Sequence, residues 1–319
     1  MKNFKINPFF DTHMSCEYDR NQIPKRLSRI KEWDFYQFIK GDWVVQATIG
    51  HASIFSSFDS CIFNLKTGEK YRSSKIELLK RNDPIYESNP EKDHELVVKR
   101  KNYYLSITLK DGYRHIVHKS KTFDLDLMIK NDYNQDKMVI LTPFSEGDKY
   151  FYLNYKENYY DVKGRLLFDN KEWVFDGATG LLDSGRGVWP YRHEWYWGSA
   201  SFVLDDNTKI GWNIGWGFGC NTHTENILFV NGKGYKLDKI ESNIENGFIN
   251  KPLHLEDNNH IFSIDVEPMH NNISDTKVLW INNHCDQIFS SATGYIIIDG
   301  KKIEFKNKTC FLEHAINRW

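Results

Sequence analysis

Between Asp183 and Glu225 the chain interleaves ionisable groups with indoles. Asp183, Arg186, Arg192, His193, Glu194, His223 and Glu225 lie in this stretch, and six of the ten tryptophans fall between Trp173 and Trp216. Carboxyls and imidazoles taken out of water shift their proton affinities, through burial and through mutual pairing. A shift of ~2 pH units corresponds to about 2.7 kcal/mol of differential stabilisation. That keeps a carboxyl protonated, or an imidazole neutral, for proton transfer near neutral pH. Asp183, His193 and Glu225 are therefore the acid/base candidates. Arg186 and Arg192 are suited to an anionic or oxygen-rich group, and His223 joins them as a binding residue. Trp189, Trp195, Trp197 and Trp216 offer flat faces for rings or chains.

Each assignment has a plainer counterpart. His193 and His223 fit equally as hydrogen-bonded structural histidines. The arginines with Asp183, Glu194 and Glu225 fit a buried ion-pair network. A tryptophan cluster fits a core. On a strand, residues two apart share a face, so His193, Trp195 and Trp197 line one side and Arg192, Glu194 and Tyr196 the other. Asp183 and Arg186 read as part of a Gly-rich loop before Pro190, where function is often placed.

Standard motifs do not appear. There is no G-x-S-x-G, no Walker A pattern and no H-E-x-x-H, since Trp197 stands where a zinc motif after His193-Glu194 needs histidine. Gly211, Gly215, Gly217 and Gly219 lack the dinucleotide order, and close packing or bulges explain them better. No metal motif and no cofactor are expected, although a spatial group of His13, His51, His193 and His223 stays open.

The elements that must position these residues read as strands. Phe123-Asp-Leu-Asp-Leu-Met-Ile-Lys130 alternates apolar and polar, and Tyr103–Leu109 and Lys149–Tyr155 read similarly. Asn231-Gly232 and Asp299-Gly300 supply positive φ for tight hairpins, joining Ile227–Val230 to Tyr235–Ile240 and Tyr295–Ile298 to Ile303–Phe305. Lys66–Glu69, Lys110–Gly112 and Glu146–Asp148 add further turns. Arg26–Trp33, with Leu27, Ile30 and Trp33 three apart, suggests a helical turn or two. The closing Glu313–Trp319 reads as a cap over one barrel end. The pattern predicts an all-β, antiparallel fold with few short helices. The domains are expected at 1–165 and 166–319, the second carrying the motif block.

Composition sets further limits. The net charge is −1, which argues against a phosphate-backbone binder, so no nucleic acid partner is expected. No run of about 18 apolar residues offers a membrane span. Five cysteines without a C-x-x-C pair argue against a disulfide framework or a zinc ribbon. With no secretory apolar core at the N-terminus, a cytoplasmic location is expected. Aromatics at 15% suit both strands and pocket walls.

Gly185-Arg-Gly-Val-Trp-Pro-Tyr-Arg192, the Trp-Gly-Ser-Ala-Ser run, Gly-Trp-Asn and Thr224-Glu-Asn226 resemble the central signature of the domain-of-unknown-function 2804 family. Arg26–Tyr36 and Glu313–Trp319 resemble its two ends. Gln287-Ile-Phe289 followed by Gly294 is similar to the tail of the carotenoid hydratase and AttH-like proteins, which implies paired lipocalin-like (calycin) barrels or sandwich halves. The reading is a small-molecule pocket protein. One form is a cofactor-independent enzyme of hydratase, cyclase or hydrolase type, acting on an amphipathic or polyol-like substrate. The other is a non-catalytic lipocalin-like carrier or sensor of a hydrophobic or sugar-like ligand. The oligomeric state is left open.

Overall fold

A computed structural model describes residues 6–23, 29–78, 84–147, 149–217, 224–244, 250–278 and 281–318. The chain divides into two compact units. The first comprises Asp11–Val139 and Phe151–Trp189, and the second Met1–Phe10, Ile140–Tyr150 and Pro190–Trp319. The chain crosses from one to the other inside the motif block, at Trp189–Pro190. Each unit is built on a curled antiparallel half-barrel sheet. Among the described residues the helical content is a single 3-10 turn, Arg20–Gln22, capped by the Asp19 carboxylate, which accepts from the Asn21 amide. None of these residues forms a helix long and apolar enough to cross a membrane.

In the first unit ten strands pair in the order Lys70–Leu78, Phe55–Asn64, Trp43–His51, Ile30–Lys40, Ala178–Val188, Phe151–Phe168, Phe123–Lys130, Tyr113–Ser120, Tyr103–Lys110 and His94–Arg100. Two hairpin meanders, one on each side, are thus joined through the central pair Ala178–Val188 and Phe151–Phe168. Period-two patterning explains the strands: Phe123, Leu125, Leu127 and Ile129 are buried while the residues between them face outward or partly so. In the second unit the order is Lys233–Lys236, Ile227–Val230, Lys209–Trp216, Arg192–Val203, Lys301–Arg318, Ile281–Ile298, Phe262–Val278, Leu253–Asp257 and Ile240–Ser242. Its core is apolar, built on Phe202, Ile210, Trp212, Ile214, Phe262 and Leu312 with their neighbours.

The expected hairpins form. Asn231 and Gly232 take φ of 50° and 83°, and Asp299 and Gly300 take 51° and 75°, the left-handed pair that a type I′ turn requires. Three expectations are corrected. From Ile30 onward the chain is strand, not helix, because Ile30–Lys40 is paired on both edges along its length; residues 24–28 lie outside the described residues. Asp183 and Arg186 lie on the Ala178–Val188 strand, not on a loop, since the glycines there admit bulky cross-strand neighbours. Residues 313–318 belong to the long Lys301–Arg318 strand at the middle of the second sheet, where they pair on both edges and do not form a cap.

Candidate functional site

Three adjacent strands of the first unit set up one face. In register, Lys31 pairs with Gly187 and that with Tyr152, Trp33 with Gly185 and that with Asn154, and Phe35 with Asp183 and that with Lys156. Directly opposed residues project to the same side of a sheet. The glycines are the reason this face has relief. A Cβ on Gly185 would lie 2.1 Å from the Trp33 ring, so the absent side chain is what lets the indole lie across the central strand.

From that position the Trp33 Nε1–H donates to Asp183 Oδ2 at 3.3 Å, and Lys156 Nζ lies 3.9 Å from Asp183 Oδ1. Tyr152 stacks on Trp33 at 6.0 Å, and Trp189 meets Tyr152 edge-on at 4.8 Å. Trp189 is anchored by its backbone N–H, which donates to the Arg29 carbonyl. The result is an aromatic wall of three rings with a carboxylate at one end. Asn154 is fully buried, and neither its carboxamide oxygen nor its nitrogen has a hydrogen-bond partner among the described residues. A carboxamide in that state is costly to bury unless something else supplies the bonds.

At the other end of the same face sits Lys31, 2% exposed. Burial, reinforced by the Arg29 charge, brings its ammonium down to about 7. A buried lysine near neutrality is a base able to accept a proton at physiological pH. Strand rise puts its Cα about 13 Å from that of Asp183, with Trp33 between them.

Of the residues expected from the sequence, Asp183, Arg186 and Trp189 lie in this unit. Arg186, three residues from Asp183, points to the opposite face. Its Nη1 donates to the Trp33 and Gly185 carbonyls and its Nη2 to Asp34 and Glu87 at 2.8 Å each. It is a member of a buried ion network, one of the two alternatives its sequence context allowed.

The remaining described candidates lie in the second unit. His193 stacks on Trp195 at 5.4 Å, and the Trp195 Nε1–H donates to Glu313 at 2.9 Å. On the other face Tyr196 stacks between Trp216 and His314, and His314 meets Glu194 at 2.7 Å. The two-faced division expected from spacing is therefore present. Arg192 is exposed. Further along, Trp197 donates to Asn213 Oδ1 at 2.6 Å, and Asn213 Nδ2 donates to the Glu225 carbonyl at 2.8 Å. The Glu225 carboxylate lies over Gly215, where a Cβ would meet Oε1 at 1.8 Å. Lys236 Nζ donates to the Thr224 hydroxyl and to the Asn226 and Leu237 carbonyls, and burial brings it down to about 8. His223 lies outside the described residues.

Sequence reasoning missed Lys31, Trp33, Asn154 and Lys156. Trp33 and Lys31 stood within the segment that resembles the family's beginning, but nothing local marks them as functional. Their roles depend on registers across some 150 residues of chain.

The family model described as "Domain of unknown function (DUF2804)" matches residues 10–319. No curated protein matches the chain. Among solved structures, CghA with Sch210972 is 8% identical, with 97% of this chain and 94% of that one covered and a TM-score of 0.59. A putative AttH from Nitrosomonas europaea is 13% identical, with 93% and 95% covered and a TM-score of 0.52. Kievitone hydratase from Nectria haematococca is 11% identical, with 99% and 98% covered and a TM-score of 0.50. At these identities the likeness is one of fold.

Proposed function

The chain belongs to the DUF2804 family, and from that premise we propose that it is a cofactor-independent enzyme that moves protons on a small, partly apolar molecule, adding or removing water or closing a ring. The observation that carries the reading is one sheet face of the first unit, which holds Lys31, Asn154 and Asp183 around the Trp33, Tyr152 and Trp189 rings. Neutral Lys31 takes a proton from the substrate or from an attacking water. Asn154 binds the oxygen on which charge develops. Asp183, starting as the carboxylic acid, delivers its own proton to the leaving or developing oxygen at the far end and is left as a carboxylate beside the Lys156 ammonium. Exchange with solvent then returns a proton to Asp183 and takes one from Lys31. The three rings hold the flat or unsaturated part and keep bulk water out.

A solved structure with this fold is named a hydratase, and another is recorded with a small molecule, Sch210972. The first supports water as a reactant and the second a small-molecule ligand. In the second unit His193 and Glu225, with Trp195, Trp197 and Trp216, remain the candidates for additional substrate contact or proton transfer. Arg192, Arg186 and His223 are weaker candidates on geometry, being respectively exposed, fully engaged in ion pairs, and outside the described residues. A non-catalytic carrier is the second reading, favoured by the fact that Asp183 is already held by Trp33 and Lys156.

The test is incubation with a cell metabolite extract, and with kievitone as a defined probe, followed by mass spectrometry for gain or loss of one water. The wild type is expected to convert a component, with a rate rising through about pH 7 as Lys31 loses its proton. Lys31→Met and Asp183→Asn are each expected to lose ~10²-fold or more. Ligand-induced thermal shifts without conversion, unchanged in both variants, would establish the carrier. No shift and no conversion with any probe would end both readings.

A further inference from the structure

On the opposite face of the same sheet lies a second group of residues that the proposed reaction does not use. One carboxylate oxygen of Asp34, one of Glu87 and one ring nitrogen of His94 all lie within 4.8 Å of one another. His94 Nδ1 is 2.8 Å from the Lys92 carbonyl. A carbonyl can only accept, so Nδ1 carries the proton and Nε2 is left with its lone pair. His94 Nε2 and Glu87 Oε2 are buried, and neither has a hydrogen-bond partner among the described residues. The Glu87 side chain is 7% exposed and that of Asp34 2%. Beside the oxygens that Arg186 holds, Glu87 Oε2 and His94 Nε2 are thus buried acceptors without a donor among the described residues, which is unfavourable until a cation enters.

The charge balance agrees. Arg186 binds Asp34 Oδ1 and Glu87 Oε1, each at 2.8 Å. One guanidinium against two carboxylates leaves a negative charge over, and Glu87 Oε2 stays out of that ion pair. The neighbouring Glu32 is engaged separately, by Arg20 at 3.2 Å and by the Tyr18 hydroxyl at 2.7 Å. A backbone carbonyl that fixes the histidine tautomer is also the usual outer support of a metal-bound imidazole.

We infer that Asp34, Glu87 and His94 form a binding site for a first-row divalent metal ion, with two oxygens and one nitrogen as protein ligands. Metal–ligand bonds of roughly 2.0–2.2 Å bring donor atoms to about 3.0–3.5 Å apart, so the three groups close in by side-chain rotation when the ion binds. Two carboxylates and one imidazole suit Zn²⁺ or Mn²⁺. Arg186 sets the geometry by holding the outer oxygens.

The experiment titrates chelator-stripped, full-length protein with Zn²⁺ alone and with Mn²⁺ alone, by calorimetry and by competition with a chromophoric chelator. One equivalent is expected to bind, and His94→Ala and Glu87→Gln are each expected to weaken binding tenfold or more. His260→Ala, at the exposed ion pair with Glu256, and Lys31→Met, on the other face of the sheet, should bind as the wild type does. Should Glu87→Gln fail to fold by circular dichroism, His94→Ala decides alone, because its ring is half-buried. Absence of stoichiometric binding to the wild type, or undiminished binding by His94→Ala, would overturn the site. Neither result bears on proton transfer at Lys31 and Asp183.

Discussion

In the core of the first unit Arg114, fully buried, donates to the Tyr36 hydroxyl, the Pro90 carbonyl and Glu157, and Glu157 also accepts from the hydroxyls of Tyr155 and Tyr159. A second buried guanidinium, Arg186, sits on Asp34 and Glu87 with the Tyr86 ring beneath it at 4.3 Å. In the core of the second unit Trp212 meets Phe202, Phe262 and Phe305 edge-on or stacked, and Ile210, Ile214, Ile264 and Leu312 fill the rest. The architecture is the same in both: a curled antiparallel sheet with strands of similar length. The second core needs no explanation beyond burial of apolar surface. The first contains ions whose desolvation costs several kcal/mol each, a cost that folding alone does not require. That asymmetry favours the first unit as the seat of the proposed chemistry.

The largest expected effect tests whether the first core depends on its ions as pairs. Glu157→Ala strands the Arg114 guanidinium and is expected to cost about 3–5 kcal/mol in urea unfolding. Arg114→Met combined with Glu157→Leu replaces both charges with apolar volume and is expected to cost less than half as much. A double variant as unstable as the single one would mean that the tyrosine hydroxyls, not the ion pair, hold this core.

The asymmetry was only partly visible in the sequence. The second unit's hairpins were legible because Asn231-Gly232 and Asp299-Gly300 determine turn type within four residues, and Phe123–Lys130 was legible because its alternation is local. The aromatic and charged content of Asp183–Glu225 was equally plain. What could not be read was which partner each residue meets. Trp33 reaches Asp183 across 150 positions and Arg186 reaches Asp34 across 152, and a register between distant strands leaves no local mark. Gly185 and Gly187 suggested a loop because glycine is common in loops. Their role is to make room for a ring and a backbone oxygen, which composition alone cannot distinguish. Trp212, one of the six tryptophans of the block, is a core residue.

The next effect in size sharpens the comparison through pH. The Lys31 ammonium titrates at 10.5 when unfolded and about 7 when folded. Between those values the unfolded chain binds more protons, so stability rises with pH across the window, and the full burial penalty stands below about pH 7. Lys31→Met should remove that rise, on the order of 2 kcal/mol once solvent relaxation is discounted. Lys236 in the second unit is brought down to about 8 and contributes a smaller rise between 8 and 10.5, which both proteins share. The difference between the two unfolding profiles therefore belongs to Lys31. Parallel profiles would remove Lys31 as the neutral base and leave Asp183 to carry the proton alone.

The smallest effect concerns the apolar core and is the one that should not respond to pH. Ile214 packs above Gly198 beside Leu312, close enough that a Cβ on Gly198 would lie 3.1 Å from one Ile214 carbon and 2.7 Å from one of Leu312. Ile214→Val removes one methyl from this contact and is expected to cost about 1 kcal/mol, from lost transfer energy and the small cavity left behind. The cost should be equal at pH 5 and pH 9, since the one titratable side chain among the buried residues of that cluster, Cys310, is pushed up by burial to about 12 and stays neutral at both. If it changed with pH, a titrating group would be coupled to the second core, and the contrast between an ion-bearing core and an apolar one would lose its basis.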